Sequence, residues 1–152
     1  MSYGLYLRWD VASCRLAVPP QGTGRAKFYL TKEYAELSAM RWFLRSKIHN
    51  ATVTDAQVEY IGSITIDAEL IEKAGLTPGE KVLVADNTNG ERVETYVISA
   101  ERGSGAVVMN GAAAHRIHKG DEVIIMGFEL SDEPVTARKV LVDEKNRFER
   151  YL

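Results

Sequence analysis

The residues Tyr60-Ile61-Gly62-Ser63-Ile64-Thr65-Ile66-Asp67 decide how this chain is read. The β-branched Ile64, Thr65 and Ile66 predict a strand, and a Gly-Ser pair is set into it. Gly inside a strand marks a bulge or a point of close backbone approach. The Ser63 hydroxyl can reach the carbonyl of Gly62, because no side chain shields that residue and the backbone there tolerates strained φ and ψ. Two readings stay open: a bulge with a solvated serine, the commoner meaning of such letters, or a site where the chain attacks itself.

On the C-terminal side, Asp67 predicts the N-cap of a short helix over Ala68 to Ala74, closed by Gly75. Leu76 to Glu80 turns into a strand over Lys81 to Asp86. Asn87-Thr88-Asn89-Gly90 then predicts a hairpin, since Asn-Gly supplies positive φ values. In the returning strand, Val93, Thr95, Val97 and Ser99 share one face, and Arg92, Glu94, Tyr96 and Ile98 the other. Upstream, Arg41 to Ile48 and Asn50 to Thr54 read as strands, Asp55-Ala56 as a turn, and Gln57 to Ile66 as the strand that carries Gly62-Ser63. Downstream, Arg102 to Gly105 breaks the sheet, and Ala106 to Met109 resumes it. Asn110 opens a second short helix, Glu122 to Phe128 and Val135 to Val142 are strands, and Lys145 to Leu152 reads as a solvated tail.

An internal echo supports one unit used twice. Gly79-Glu80-Lys81-Val82 returns as Gly120-Asp121-Glu122-Val123, and the same spacing carries Gly62-Ser63 onto Gly103-Ser104. Each copy reads strand, Gly-Ser, strand, short helix, Gly-acid turn, strand, which points to a pseudo-two-fold barrel in which neither half buries its apolar face alone.

Composition sets the limits. The chain has 152 residues, 45% hydrophobic and 26% charged, which suits one soluble domain with a real core. A net charge of -2 leaves no basic excess to neutralise a phosphate backbone, so nucleic acid is not an expected partner. No apolar run reaches the roughly 18 residues of a membrane span. A single cysteine, Cys14, excludes an internal disulfide framework and fits a reducing, cytoplasmic setting. Residues 1–39 carry five basic residues against three acidic ones, whereas the rest is acidic on balance. Pro19-Pro20-Gln21-Gly22-Thr23-Gly24 breaks regular structure there, and no signal-peptide apolar region is present. This segment is read as an N-terminal extension, partly disordered or an upstream-start artefact, ahead of a domain over 40–143 and a tail over 144–152.

Around Gly62-Ser63 stand Lys47-Ile48-His49, Asn89-Gly90-Glu91-Arg92, Thr95-Tyr96, Glu101-Arg102-Gly103-Ser104 and Asn110-Gly111-Ala112-Ala113-Ala114-His115. In this order and spacing they resemble the aspartate 1-decarboxylase family, pyruvoyl enzymes that make β-alanine, over about residues 40–143. The resemblance implies a mainly β double-psi β-barrel with short helices. It also implies self-cleavage between Gly62 and Ser63, with Ser63 becoming a covalent pyruvoyl group after loss of ammonia. In such enzymes the amine of L-aspartate forms a Schiff base with that ketone, CO2 leaves, and the product feeds pantothenate and coenzyme A synthesis. Members are homotetramers with sites between subunits, so Arg92 or Tyr96 is expected to act across an interface, and an accessory maturation factor is a possible partner.

The chemistry makes sense of the residues. Decarboxylating an amino acid leaves electrons on Cα that no ordinary side chain can delocalise, so an electron sink is needed. A lysine-bound pyridoxal phosphate would serve, but no phosphate-binding signature accompanies the lysines. Tyr96, protonated at neutral pH, is the candidate proton donor, although a strand tyrosine more often packs. Arg92 offers a bidentate fork to a substrate carboxylate and Lys47 a point charge, or both are solvated strand charges. Thr95 and Asn110 could stabilise oxyanions, a role worth about 10²-fold where measured, or be a strand threonine and a helix N-cap. Gly111, Ala112 and Ala113 would place backbone N–H groups and small side chains against the substrate, or simply start a helix.

Other motifs compete weakly. Gly103-Ser104-Gly105 lacks the spacing of a phosphate loop. His49, His115 and His118 with Ser63 could suggest a hydrolase triad, but there is no nucleophile elbow. The same histidines could bind zinc, yet only His115 and His118 have ligand-like spacing. A non-catalytic β-barrel binding module is the alternative from another class.

Overall fold

The computed structural model describes the strands Arg8–Asp10 (β1) and Arg15–Ala17 (β2) and residues 40–152. The two strands pair antiparallel; the disorder expected of 1–39 otherwise lies outside the described residues. The chain divides into two units, Met1–Ser38 and Ala39–Leu152, and the second holds the hydrophobic core and the candidate site.

The elements of this second unit are β3 (Arg41–Thr52), β4 (Asp55–Gln57), β5 (Ser63–Asp67), α1 (Ala68–Ala74), β6 (Lys81–Asp86), β7 (Arg92–Ala100), β8 (Val107–Asn110), a 3-10 turn (Gly111–His115), β9 (Glu122–Ser131), β10 (Arg138–Val142) and β11 (Phe148–Tyr151). Hydrogen bonds order the strands β11-β10-β3-β9-β6-β7-β5-β8-β4, an order that does not close on itself. This is the mainly β architecture of double-psi type that the resemblance implied.

Alternation builds the core. Val82 and Val84 of β6, Val97 of β7 and Val123 and Ile125 of β9 point inward, with Ile48, Ile64, Ile66, Val107 and Met109 beside them, all essentially inaccessible. The helix adds Leu70, Ile71 and Ala74. Its ends are those the sequence announces: the Asp67 side chain accepts from the Glu69 N–H, and Gly75 closes it at φ 71°.

The echo becomes an interlock. Gly79 N–H donates to Val97 O at 2.8 Å and Val97 N–H to Glu80 O at 3.0 Å; Gly120 N–H donates to Val53 O at 2.8 Å and Val53 N–H to Asp121 O at 2.9 Å. Each half's Gly-acid turn therefore clamps a strand end of the other half. Parallel pairing of β5 with β7 and of β3 with β10 completes the crossing.

Several local expectations are corrected. Residues 41–52 form one strand, with Asn50 at φ 61° absorbing a register shift against β9. Asp55-Ala56 is not a turn but part of β4, parallel to β8. The strand expected from Gln57 to Ile66 breaks over 58–62 and resumes at Ser63, so Gly62 ends a turn and is not a bulge within a strand. In the hairpin only Gly90, at φ 82°, takes positive φ; its N–H donates to Asp86 O, and the Asp86 carboxylate accepts from Thr88 and Asn89. The presumed tail holds β11, antiparallel to β10, and a buried Asn146 bonded to Thr52 and Gly105. A strand this short and polar shows no alternation to read.

Candidate active site

Antiparallel pairing sets Ser63, first residue of β5, opposite Asn110, last of β8. Ser63 is 1% exposed and sits at φ 123°, a region L-residues rarely adopt. Such a conformation costs about 1–3 kcal/mol and persists only where its surroundings impose it. Asn110 is one such constraint: its Nδ2 donates to Ser63 Oγ and to Thr65 Oγ1, both at 2.9 Å. It makes no side-chain cap to the 3-10 turn, so the N-cap alternative does not hold.

The preceding residues are fixed from the other side. Gly62 N–H donates to Tyr60 O at 2.8 Å, a three-residue turn that leaves Ile61 90% exposed at its tip. The Tyr96 hydroxyl lies 3.4 Å from both Ile61 O and Gly62 O, long contacts over the carbonyl that Ser63 would attack. Beneath, Gly111 at φ 61° comes so close that a Cβ there would stand 2.6 Å from Gly62 N and 2.7 Å from its Cα. Glycine at 111 is needed for the turn to lie where it does.

A cleft of about 390 Å³ opens beside Ser63. It gathers most of the residues singled out in the sequence: Gly62, Ser63, Arg92, Thr95, Asn110, Ala112 and Ala113 line it. Gly111 packs behind it and Tyr96 contacts its edge through Gly62. Lys47 is not brought in. It lies on β3, paired with Met126 of β9 and Lys139 of β10, and β3 is three strand spacings from β7, on the order of 14 Å along the sheet.

The cleft also contains Val93, Glu94 and Arg116, which the sequence reading missed. Arg116 follows the 3-10 turn three residues after Ala113, a spacing that places both on one side of such a turn and could have signalled it. Glu94 pairs with Lys81 at 2.7 Å and Arg116 with Glu91 at 2.7 Å. Arg92 bonds only the Gly90 carbonyl, at 3.0 Å, and has no carboxylate partner among the described residues. The wall is thus suited to an anion.

Two titrating groups outside the cleft are displaced from their ordinary values. Burial, and then the charge of Lys47, hold His49 below the usual histidine value. Burial raises the Asp86 carboxyl at the root of the hairpin against the two N–H groups that favour its charge. The hydrogen-bond partner of Ser63 Oγ is Asn110 and not a histidine, which removes the basis for a hydrolase triad.

The aspartate decarboxylase family model matches residues 39–149. An aspartate 1-decarboxylase of Neisseria meningitidis is 52% identical over 111 residues, covering 70% of this chain and 87% of its own. One from Corynebacterium efficiens is 54% identical over 112 residues, 71% and 82%. Another from Bacteroides thetaiotaomicron is 57% identical over 89 residues, 59% and 76%. On this match, over the unit that holds the strained Ser63 and its cleft, the chain belongs to the aspartate decarboxylase family of enzymes.

Proposed function

We propose that this chain is a pyruvoyl-dependent L-aspartate 1-decarboxylase, cleaved between Gly62 and Ser63, that produces β-alanine and CO2 for pantothenate and coenzyme A synthesis in the cytoplasm. The observation that carries the reading is the buried Ser63 at φ 123°, with its hydroxyl held by Asn110 and with Gly62 before it, whose carbonyl lies 3.4 Å from the Tyr96 hydroxyl.

Self-cleavage balances without any outside reagent but water. Ser63 Oγ adds to the Gly62 carbonyl carbon and the peptide nitrogen leaves, giving an ester and a free amine. Loss of the Ser63 Cα proton expels the Gly62 carboxylate and leaves a dehydroalanine terminus. Its imine tautomer takes up water and releases ammonia, leaving a ketone. Strain at Ser63 is relieved as the peptide bond is lost, and Thr95 is the nearby hydroxyl for the oxyanion. The pocket fits the group so formed, since residue 63 stays at the cleft wall beside small Ala112 and Ala113.

That ketone supplies the electron sink for decarboxylation. Arg92, free of a competing carboxylate, binds a substrate carboxylate bidentately. Tyr96 returns a proton to Cα, and Asn110 and Thr95 orient polar atoms of the substrate. The reading includes a homotetramer; Arg92 and Tyr96, expected to act across an interface, stand at the cleft of the same chain as Ser63, and Lys47, remote from that cleft, is the residue that would have to come from another copy. An accessory maturation factor and the status of 1–39 as an extension to the catalytic domain belong to the same proposal.

The test is intact mass under denaturing conditions, beside β-alanine production. Two fragments meeting at Gly62 and Ser63 are expected, the larger lighter than a free serine terminus by one ammonia. Ser63→Ala should give one full-length mass and no product, and Ser104→Ala should behave as wild type. A single wild-type mass that persists in warm cell extract, with no β-alanine formed, would sink the proposal and leave a binding module.

A further inference from the structure

We infer that Arg116 is a second, specificity-determining carboxylate receptor of the cleft, and that Glu91 is its resident counterion, displaced when a dicarboxylic amino acid binds. The inference rests on the proposed decarboxylase reading and deepens it.

The geometry begins with how Arg116 is held. Its backbone carbonyl accepts from Asn89 Nδ2 at 3.0 Å, and its Nη1 reaches Glu91 Oε2 at 2.7 Å. Both partners belong to the loop that delivers Arg92, so two guanidiniums face one cleft from two elements tied together. Their states differ. Arg92 bonds only a carbonyl, whereas Arg116 is already paired with a carboxylate that resembles, in charge and shape, the side chain of an acidic amino acid.

Chemistry then says which carboxylate the two should hold. A substrate with two carboxylates loses one as CO2 and keeps the other. A cation gripping the departing group would stabilise the ground state more than the transition state, since the charge flows away from that carboxylate into Cα. Cationic recognition is therefore best spent on the retained carboxylate, whose charge does not change, and Arg92 and Arg116, lining one cleft, both serve it. Arg116 meets that need and carries no role in self-cleavage, which uses Ser63, Gly62 and Asn110. Glu91 imposes a competition: a neutral side chain cannot displace it, while a carboxylate can. The pair is exposed, so the exchange is close to balanced in free energy.

The experiment uses the processed enzyme and two variants with opposite expected signs. Arg116→Leu should raise KM for L-aspartate about tenfold or more, with kcat within about threefold, and weaken binding of succinate by a similar factor in calorimetry. Discrimination between L-aspartate and L-asparagine should shrink by the same factor. Glu91→Gln should lower KM and tighten succinate about two- to fivefold, a gain that damaged folding would not produce. Cleavage at Ser63, read by mass, should proceed in both. Unchanged KM and succinate affinity in Arg116→Leu, in an enzyme that cleaves and makes β-alanine, would overturn this inference and leave the decarboxylase reading standing. Wild-type protein that neither makes β-alanine nor binds succinate would overturn both.

Discussion

Two Gly-Ser pairs stand 41 residues apart in equivalent places of the interlocked halves, and they are held in opposite ways. Ser63 is buried at φ 123°, and its hydroxyl is fixed by Asn110 beside an exposed turn. Ser104 is exposed and its hydroxyl accepts from the Ala106 N–H in an ordinary local turn. Gly103 N–H and Gly105 N–H are both held by the Asp67 carboxylate, and the Gly103 carbonyl accepts from Arg147. The second pair is a satisfied structural junction; the first is strained, buried and held through its hydroxyl by a residue of another strand. Identical letters thus acquire different chemistry from what packs against them, which answers why Ser63 and not Ser104 is the candidate for cleavage.

The contrast is lost most severely at Gly111. Gly111→Ala puts a Cβ within 2.6 Å of Gly62 N and 2.8 Å of Tyr60 O, and both are backbone atoms that cannot swing aside. The alanine must also take φ near 61°. The turn before Ser63 must move, and displacement of about 1 Å at a reacting centre costs about 10²-fold in rate. Cleavage followed by mass over time is expected to slow at least that much, while far-UV circular dichroism stays β-like. Cleavage at the wild-type rate would mean that the placement of the turn does not control the reaction.

A smaller loss is expected at Asn110. Asn110→Ala removes the donor shared by Ser63 Oγ and Thr65 Oγ1, leaving two hydroxyls to settle their own directions. Cleavage should slow about tenfold, and stability should fall by about 1–2 kcal/mol in urea melts. Asn110 acts here as a positioning residue. A fall in stability without a change in the cleavage rate would assign it to packing alone.

Much of this was visible in the order of residues, and the rest could not be. The cap at Asp67, the stop at Gly75, the hairpin before Arg92 and the twofold echo are signals carried by a few adjacent letters. The strain at Ser63 is not local: it depends on Asn110, 47 residues away, and on the close approach of Gly111. Strand β4 escaped notice because Asp55 and Gln57 are polar and its pairing is parallel and remote. Arg116 escaped because it is held at the cleft by bonds to Glu91 and Asn89 of a different element. Contacts between elements, rather than propensities within them, separate a strained, buried serine from its exposed, relaxed twin.

The mildest change loosens the second pair. Burial pushes the Asp67 carboxyl up, but N–H groups from Gly105, Glu69 and Gly103 together with Arg147 outweigh it and hold it below its ordinary value of 3.8. A depressed folded-state value means that the unfolded chain binds the proton more readily. The stabilisation is therefore complete above about pH 4 and disappears as pH falls through the folded value. Asp67→Asn presents an amide N–H to one of the backbone donors, and should cost about 2 kcal/mol at pH 7. In urea melts the gap to wild type should narrow at pH 3 and below, because protonation removes the same charge from the native protein. Mass should still report cleavage at Ser63 and none at Ser104, since freeing Gly103 and Gly105 supplies neither the strain nor the buried donor that Ser63 has. A stability gap that does not change with pH would show that shape, and not the carboxylate charge, anchors the second pair.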